Sequence, residues 1–182
     1  MRILITGASG SGTTTLGKAL ADRLGFAFFD LDDYYWLRTD PPFQQKRDPL
    51  LRLSLLLNDL DKEPSAVLAG SLMEWGKELE DSFDVIAFLT LPAKIRVERL
   101  RQRETAMFGK ADPVFLEWAA QYEEGRLSGR SLSRHIKWLS ERTCQIIRLD
   151  GDLTVEERID RCLAAISANA PGGTRDACAP RG

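Results

Sequence analysis

Residues 1–25 read MRILITGASGSGTTTLGKALADRLG, and this stretch decides the fold. Met1 to Thr6 form a short apolar run, which predicts a buried strand. Leu16, Leu20 and Leu24 then recur at helical spacing, and a glycine at position 25 predicts the end of that helix. A strand, a glycine-rich turn and a helix in this order predict a loop that binds an anion through backbone N–H groups and the start of the helix.

The turn carries the spacing of a phosphate-binding loop with one departure. We expect all of its residues to bind phosphate: Gly7, Ala8, Ser9, Gly10, Ser11, Gly12, Thr13, Thr14 and Thr15. The usual pattern is Gly, four residues, Gly, Lys and then Ser or Thr, whose hydroxyl group binds Mg²⁺. Thr14 takes that hydroxyl position, but Thr13 stands in place of the lysine, so the fixed positive charge is missing. The alternative is a glycine-rich strand–helix turn that binds nothing.

An acidic segment follows the second predicted strand, Phe26 to Phe29. Asp30 and Asp32 are expected beside the loop, because ligands of open α/β sheets bind beyond the carboxyl ends of the strands. Carboxylates at this place bind Mg²⁺ or accept a proton from an attacking hydroxyl group. Both are therefore candidate metal and substrate ligands, and Asp32 is the candidate catalytic base. Tyr35 is a candidate substrate contact, with a place in the core as the alternative.

Two further substrate contacts are predicted from the middle of the chain. Arg47 precedes a helix that is expected to begin at Asp48-Pro49, and it either meets a substrate anion or is solvated. Ser71 follows the third predicted strand, Ala66 to Ala69, at the same edge of the sheet.

The fourth predicted strand, Asp84 to Thr90, is apolar on both faces, which indicates a parallel sheet covered on both sides. The next helix is expected to run from Pro92 to about Arg103, and most of its arginines are expected to be solvated: Arg96, Arg99, Arg101 and Arg103. No strand is predicted between 104 and 142. Arg130 and Arg134 are candidate catalytic residues of a mobile cover over phosphate groups, and they would project together if they shared a helix begun at Ser128 or Ser131.

The last predicted strand, Gln145 to Leu149, is followed by Asp150 and Gly151 and a final helix. Five strands that alternate with helices predict an α/β fold, a five-stranded parallel sheet with helices on both faces. Residues 169–182 show no periodicity and are predicted to form a disordered tail.

Residues 1–168 resemble the small P-loop kinases, the group of adenylate, shikimate and related nucleoside or metabolite kinases. The resemblance rests on GASGSGTTT, FFDLDDYYW, VLAGS, DVIAFLTLPAKIRVERLRQRE and IIRLDGD. It implies a P-loop NTPase fold of the nucleoside-monophosphate-kinase type, with an acceptor-binding segment at 37–62 and a lid-like helical segment at 104–142. It also implies ATP phosphates in the first loop, Mg²⁺ on Thr14, and the acceptor near Asp30 and Asp32. Arg130 and Arg134 would close on the phosphates, and Asp150-Gly151 would border the adenine.

The expected function is ATP-dependent phosphoryl transfer to a nucleotide or a small hydroxylated metabolite. Because Thr13 removes a charge that stabilises the transition state, two alternatives stay open. One is a degenerate kinase that acts as a nucleotide-binding sensor or partner module, and the other is nucleotide hydrolysis without an acceptor.

Composition narrows the classes of partner. A formal net charge of −2 over 182 residues gives no electrostatic case for nucleic acid or an anionic membrane. No apolar run is long enough to span a bilayer, and because the first predicted strand begins at Met1 we expect no signal peptide. Three scattered cysteines are typical of a reducing compartment. We therefore expect a cytoplasmic protein whose partner is a small-molecule acceptor, with no nucleic acid and no membrane.

Overall fold

The structure, a computed structural model, describes residues 1–168. Five strands form one sheet, in the spatial order β2-β3-β1-β4-β5, and every neighbouring pair is parallel. The strands are β1 (Arg2–Gly7), β2 (Ala27–Asp30), β3 (Ala66–Ala69), β4 (Val85–Thr90) and β5 (Gln145–Asp150). The predicted five-stranded parallel sheet is therefore confirmed.

Helices connect the strands and cover both faces of the sheet. They are α1 (Thr13–Leu24), α2 (Leu31–Tyr35), α3 (Pro49–Leu60), α4 (Lys77–Glu80), α5 (Ala93–Phe108), α6 (Pro113–Ala120), α7 (Leu132–Ser140) and α8 (Val155–Ala168). Buried side chains of α1 and α8 contribute to the core on one face, and those of α3 and α7 to the core on the other. No helix within residues 1–168 has both the length and the apolar character needed to cross a membrane.

The central strand β1 contributes side chains to the core on each face of the sheet. Its side chains alternate in direction, so Ile3 and Ile5 pack in the core that contains Leu16 of α1, while Leu4 packs in the core that contains Leu56 of α3. All of these side chains are fully buried. Burial of an aliphatic side chain contributes roughly 1.5–3 kcal/mol, so these contacts stabilise β1 at the centre of the sheet.

One helix is longer than predicted, and another begins too late to carry both candidate arginines. The helix after β4 does not stop near Arg103 but continues to Phe108 and ends at Gly109, whose φ of 76° is left-handed. Arg130 and Arg134 do not share a helix, because α7 begins only at Leu132, where the Ser131 hydroxyl group accepts a hydrogen bond from the Arg134 backbone N–H. Arg130 therefore lies on the loop before α7.

The parallel register brings the chemically interesting turns to one edge of the sheet. Gly7 at the end of β1 pairs with Leu89 of β4, and Asp30 at the end of β2 pairs with Ala69 of β3. The phosphate-binding loop and the acidic turn therefore leave the same edge. The predicted boundaries of the acceptor segment and the lid stay predictions, and the predicted tail at 169–182 lies outside the described residues.

Candidate active site

The glycine-rich loop packs too closely against its neighbours to tolerate larger residues at two positions. A Cβ atom on residue 7 would lie 2.6 Å from the carbonyl oxygen of Leu89, and one on residue 10 would lie 2.6 Å from the carbonyl oxygen of Arg96. Gly10 and Gly12 also have left-handed φ values of 81° and 94°. Glycine avoids the steric penalty in both situations, and the loop can turn its N–H groups toward a bound anion.

Two buried arginines bind the loop through its backbone carbonyl groups. Arg96 Nη1 donates to the Ser9 carbonyl oxygen at 3.3 Å, and Arg158 Nη1 donates to the Ser11 carbonyl oxygen at 2.9 Å. Arg96 is fully buried and also forms a two-bond ion pair with Glu123, with both contacts at 2.7 Å. The expectation that Arg96 belongs to a solvated helix face is therefore wrong; it lies between the loop and the segment that follows α6.

The acidic turn places two carboxylates beside the loop. Asp30 caps α2, since its Oδ1 atom accepts a hydrogen bond from the Asp32 backbone N–H at 3.0 Å. The Asp32 side chain is exposed to the cleft, where neighbouring protein atoms reduce its hydration, and this loss of hydration is the main cause that raises its pKa above the usual value. The negative charge of Asp30 raises that pKa further, while the charges of Arg130 and Arg103 oppose the shift. A carboxyl group of raised pKa beside a phosphate-binding loop is a candidate proton acceptor.

A cleft of about 810 Å³ lies between the loop and the acidic turn, which is large enough for a nucleotide or a sugar-sized ligand. The structure brings many of the predicted site residues together in the lining of this cleft: Gly7, Ala8, Ser9, Gly10, Thr13, Thr14, Asp30 and Asp32. Ser11, Gly12 and Thr15 complete the loop without lining the cleft. Four aromatic side chains also line it and offer apolar surface to a ligand: Trp36, Phe43, Phe108 and Phe115.

Arg130 lines the cleft and contacts the loop. Its Nη2 atom donates to the Ser9 hydroxyl oxygen at 3.2 Å, and its guanidinium lies 5.5 Å from the centre of the Trp118 ring. Burial lowers the pKa of this guanidinium, whereas the nearby charge of Asp32 favours its protonated form. Arginine stays charged throughout the accessible pH range, so the cleft has a fixed positive charge beside the loop.

The structure does not bring Arg134 to the same place. Its guanidinium pairs with the Glu74 carboxylate and donates to the Gly129 carbonyl oxygen at 2.8 Å, and the residue does not line the cleft. The two arginines diverge because Arg130 precedes the Ser131 cap whereas Arg134 lies inside the first turn of α7.

Three predicted substrate contacts lie outside the cleft lining. Arg47 donates to the backbone carbonyl oxygens of Tyr34 at 3.0 Å and Trp36 at 3.3 Å, and so fixes the chain after α2. The Tyr35 ring stacks on Trp75 at 6.4 Å between centroids, and Ser71 follows Gly70, which does line the cleft.

The turn after β5 is likewise separate from the cleft lining. The Thr90 hydroxyl group donates to the Asp150 carboxylate. The Gly151 backbone N–H donates to the Thr90 carbonyl oxygen at 3.0 Å, and the Gly151 carbonyl oxygen accepts from Arg158 Nη2 at 3.2 Å. These contacts tie the turn to β4 and to α8, and its predicted role at the adenine stays a prediction.

Sequence reasoning missed the charged residues that the end of α5 and the following loop contribute. Four of them line the same cleft as the loop: Arg103, Glu104, Lys110 and Asp112. The charge-rich sequence around α5 carries no signal that separates them from solvated residues, because their place depends on how α5, which continues to Phe108, and the loop after it pack beside the cleft.

The donor set fits Mg²⁺ only as a site completed by phosphate. Among residues 1–168, no group of three or more histidine, cysteine, aspartate and glutamate side chains is arranged to bind a metal ion. Thr14, Asp30 and Asp32 offer hydroxyl and carboxylate oxygens along one cleft. Such a sparse set of oxygen donors is typical of Mg²⁺ sites in which phosphate oxygens and water supply the remaining ligands.

Comparison with known proteins identifies a family and similar relatives. The family model described as an AAA domain matches residues 3–108. The protein named "Uncharacterized protein YqaC" from Bacillus subtilis (strain 168) is 38% identical over 177 residues, which is 92% of this chain and 98% of that protein. A probable gluconokinase of Xenopus tropicalis is 41% identical over 64 residues, which is 35% of this chain and 30% of that protein.

Among solved structures, shikimate kinase from Bacteroides thetaiotaomicron superposes with a TM-score of 0.61 at 21% sequence identity. The superposition covers 92% of this chain and 98% of that one. At this level of identity the likeness establishes the fold alone.

Proposed function

The chain belongs to the AAA domain family and has the fold of the small P-loop kinases, and from this premise we propose that it is an ATP-dependent kinase of a nucleotide or a small hydroxylated metabolite. Relatives named as gluconokinase and shikimate kinase support phosphoryl transfer to small metabolites in general. The observation that carries the proposal is one cleft lined by the phosphate-binding loop, the Asp30–Asp32 pair and Arg130.

Each group in the cleft has a role in this reaction. Backbone N–H groups of the loop bind the phosphates of ATP, and Thr14 with Asp30 would bind Mg²⁺, which neutralises phosphate charge when bound. Asp32 accepts the proton of the acceptor hydroxyl group as its oxygen forms a bond to the γ-phosphorus. The bond from that phosphorus to the oxygen bridging it to the β-phosphate breaks, and ADP leaves. Positioning of the reactants and electrostatic stabilisation of the transition state account for catalysis of such a transfer.

Arg130 takes the place of the missing lysine in this proposal. The lysine normally supplies a positive charge to the β- and γ-phosphates, and Thr13 has none. Arg130 contacts Ser9 of the loop and faces Asp32, so its charge lies where the γ-phosphate and the acceptor hydroxyl group would meet. An arginine in this position resembles the cations that other phosphoryl transferases bring to the transition state from outside the loop.

Thr13 favours a second candidate function. A loop without lysine can still bind phosphate through its N–H groups, yet it loses charge that is specific to the transition state. The chain would then be a nucleotide-binding sensor or partner module without efficient transfer.

The test measures ADP formation from ATP and Mg²⁺ with a panel of acceptors that includes sugars, sugar acids, shikimate, nucleosides and nucleoside monophosphates. The proposal predicts ADP formation that depends on one class of acceptor and falls by about 100-fold or more in Asp32→Asn. Asp33→Asn is the matched control, because Asp33 is the adjacent carboxylate and does not line the cleft. Tight ATP binding without turnover on any acceptor would favour the sensor, and acceptor-independent ADP formation would favour hydrolysis.

A further inference from the structure

Arg158 of α8 contacts the phosphate-binding loop but does not line the cleft, so it approaches the loop from behind. Its side chain is 3% exposed. Nη1 donates to the Ser11 carbonyl oxygen at 2.9 Å, and Nη2 donates to the Gly151 carbonyl oxygen at 3.2 Å. A Cβ atom on Gly12 would lie 3.2 Å from Nη1, so the guanidinium lies directly against the residue that caps the N-terminus of α1.

The charge of Arg158 differs from that of the other arginine behind the loop. Arg96 is neutralised by its two-bond pair with Glu123. Among residues 1–168, Arg158 forms no ion pair with a carboxylate. Asp152 acts on it only at longer range and itself pairs with Arg99 at 2.6 Å. The Nε atom of Arg158 is buried without any hydrogen-bond partner in the described part of the chain.

Burial of a cation without a counter-ion costs free energy of folding unless another negative group, such as a bound anion, interacts with it. A charge in a poorly hydrated environment acts over longer distances than a solvated one. The start of α1 already favours anions through its free N–H groups and its dipole, and Arg158 adds a full positive charge at the same point. The loop lacks the lysine that would otherwise provide charge there.

We propose that Arg158 is a positioning residue that supplies part of the phosphate affinity of this lysine-less loop from behind, by orienting the Ser11 peptide group and adding positive potential at the N-terminus of α1. This inference rests on the proposed nucleotide-binding function. It assigns the two missing contributions of lysine to different residues. Arg158 supports ground-state binding of phosphate, and Arg130 acts on the transferred group.

The test compares Arg158→Gln, Arg158→Lys and the control Arg161→Gln, an exposed arginine on the same helix. Calorimetry measures the dissociation constants of ATP, ADP and adenosine, with thermal unfolding as the check on folding. We expect Arg158→Gln to weaken ATP binding by at least about tenfold and adenosine binding by less than about twofold. Arg158→Lys keeps the charge and should stay within about threefold of the unmodified chain for ATP. Arg161→Gln should change none of the three.

Two results would overturn the inference while leaving the proposed function intact. One is unchanged ATP affinity in Arg158→Gln, and the other is an equal loss of ATP and adenosine, which indicates a purely structural role. If Arg158→Gln does not fold, the folded lysine variant decides, and a tenfold loss of ATP affinity in it contradicts the role of charge. If the unmodified chain and Arg161→Gln both fail to bind ATP, the proposed function is itself contradicted and the inference falls with it.

Discussion

Arg130 donates a hydrogen bond from Nη2 to the hydroxyl oxygen of Ser9 at 3.2 Å, across 121 residues of sequence. This contact joins the loop before α7 to the phosphate-binding loop. It brings a permanent cation to a loop whose own lysine position holds Thr13. This contact supports the proposal that Arg130 supplies the charge that acts on the transferred phosphate.

Replacement of Arg130 with Gln should lower kcat by about 100-fold with a smaller change in KM for ATP, because the charge acts mainly in the transition state. Arg126→Gln is the matched control, since Arg126 lies on the same segment but is exposed and pairs with Glu124 at 2.6 Å. Steady-state kinetics at saturating acceptor measure both variants. Equal kcat values for the two variants would exclude a catalytic role for Arg130.

Introduction of the lysine, Thr13→Lys, should leave or lower kcat in the otherwise unmodified chain, because Arg130 already supplies charge at this place. In the Arg130→Gln background the same substitution should raise kcat. The four proteins form a double-mutant cycle, and the sign of its coupling energy is the measurement. A large gain from Thr13→Lys alone would mean that the charge is simply missing from the unmodified protein.

The pH profile of kcat/KM should report the raised pKa of Asp32. The carboxylate must be deprotonated to accept a proton, so activity falls as the pH drops through a pKa that lies above the usual aspartate value of 3.8. Asp30→Asn removes a negative neighbour and should move this acid limb to lower pH. Arg103→Gln removes a positive neighbour and should move it to higher pH. Shifts in the same direction for both variants would contradict the assignment of the limb to Asp32.

His135, the one histidine of the chain, should stay neutral down to low pH. It is fully buried, with Nδ1 at 2.5 Å from the Tyr122 hydroxyl oxygen, and burial lowers its pKa to about 3. Because the pKa of His135 is lower in the folded state than in the unfolded chain, protonation of His135 does not affect the free energy of unfolding above about pH 6.5. As the pH falls from there toward 3, the unfolded chain binds a proton that the folded protein does not, and the free energy of unfolding falls, by about 2 kcal/mol at pH 5. The single imidazole signal in proton NMR should therefore not titrate between pH 8 and 5.

Glu123→Gln should destabilise the fold by removing the counter-ion of a buried cation. Arg96 is fully buried, whereas the Glu123 side chain is 39% exposed, so water offsets part of the loss and we expect about 2 kcal/mol. Glu124→Gln removes only an exposed ion pair with Arg126 and should cost less than about 1 kcal/mol. Chemical denaturation of the two variants measures both values, and equal values would contradict the role assigned to the Arg96 pair.

The parts of the site that lie close together in sequence could be predicted from it. The loop at Gly7 and the carboxylates at Asp30 and Asp32 follow directly from strands whose apolar runs are plain, and the parallel sheet then brings them together. Arg130 was predicted as a phosphate ligand from its place in a basic segment, but its separation from Arg134 depends on where α7 begins.

The buried arginines could not be predicted in the same way. Arg96 and Arg158 occur in helical segments rich in charge, where a solvated position is the ordinary expectation. Their burial depends on how α5 and α8 pack against the loop, which is tertiary information. Arg103 and Lys110 were missed because the length of α5 and the path of the loop after it decide whether they line the cleft.

Transfer of the γ-phosphate itself tests the proposed kinase activity most directly. ATP labelled with ³²P at the γ-phosphorus is incubated with the protein, Mg²⁺ and each acceptor of the panel, and the products are separated by chromatography. We expect the label to pass to one class of hydroxylated acceptor, and Asp32→Asn and Arg130→Gln each to suppress this transfer. Label found only in inorganic phosphate, or retained in ATP with every acceptor, would contradict the assignment of kinase activity.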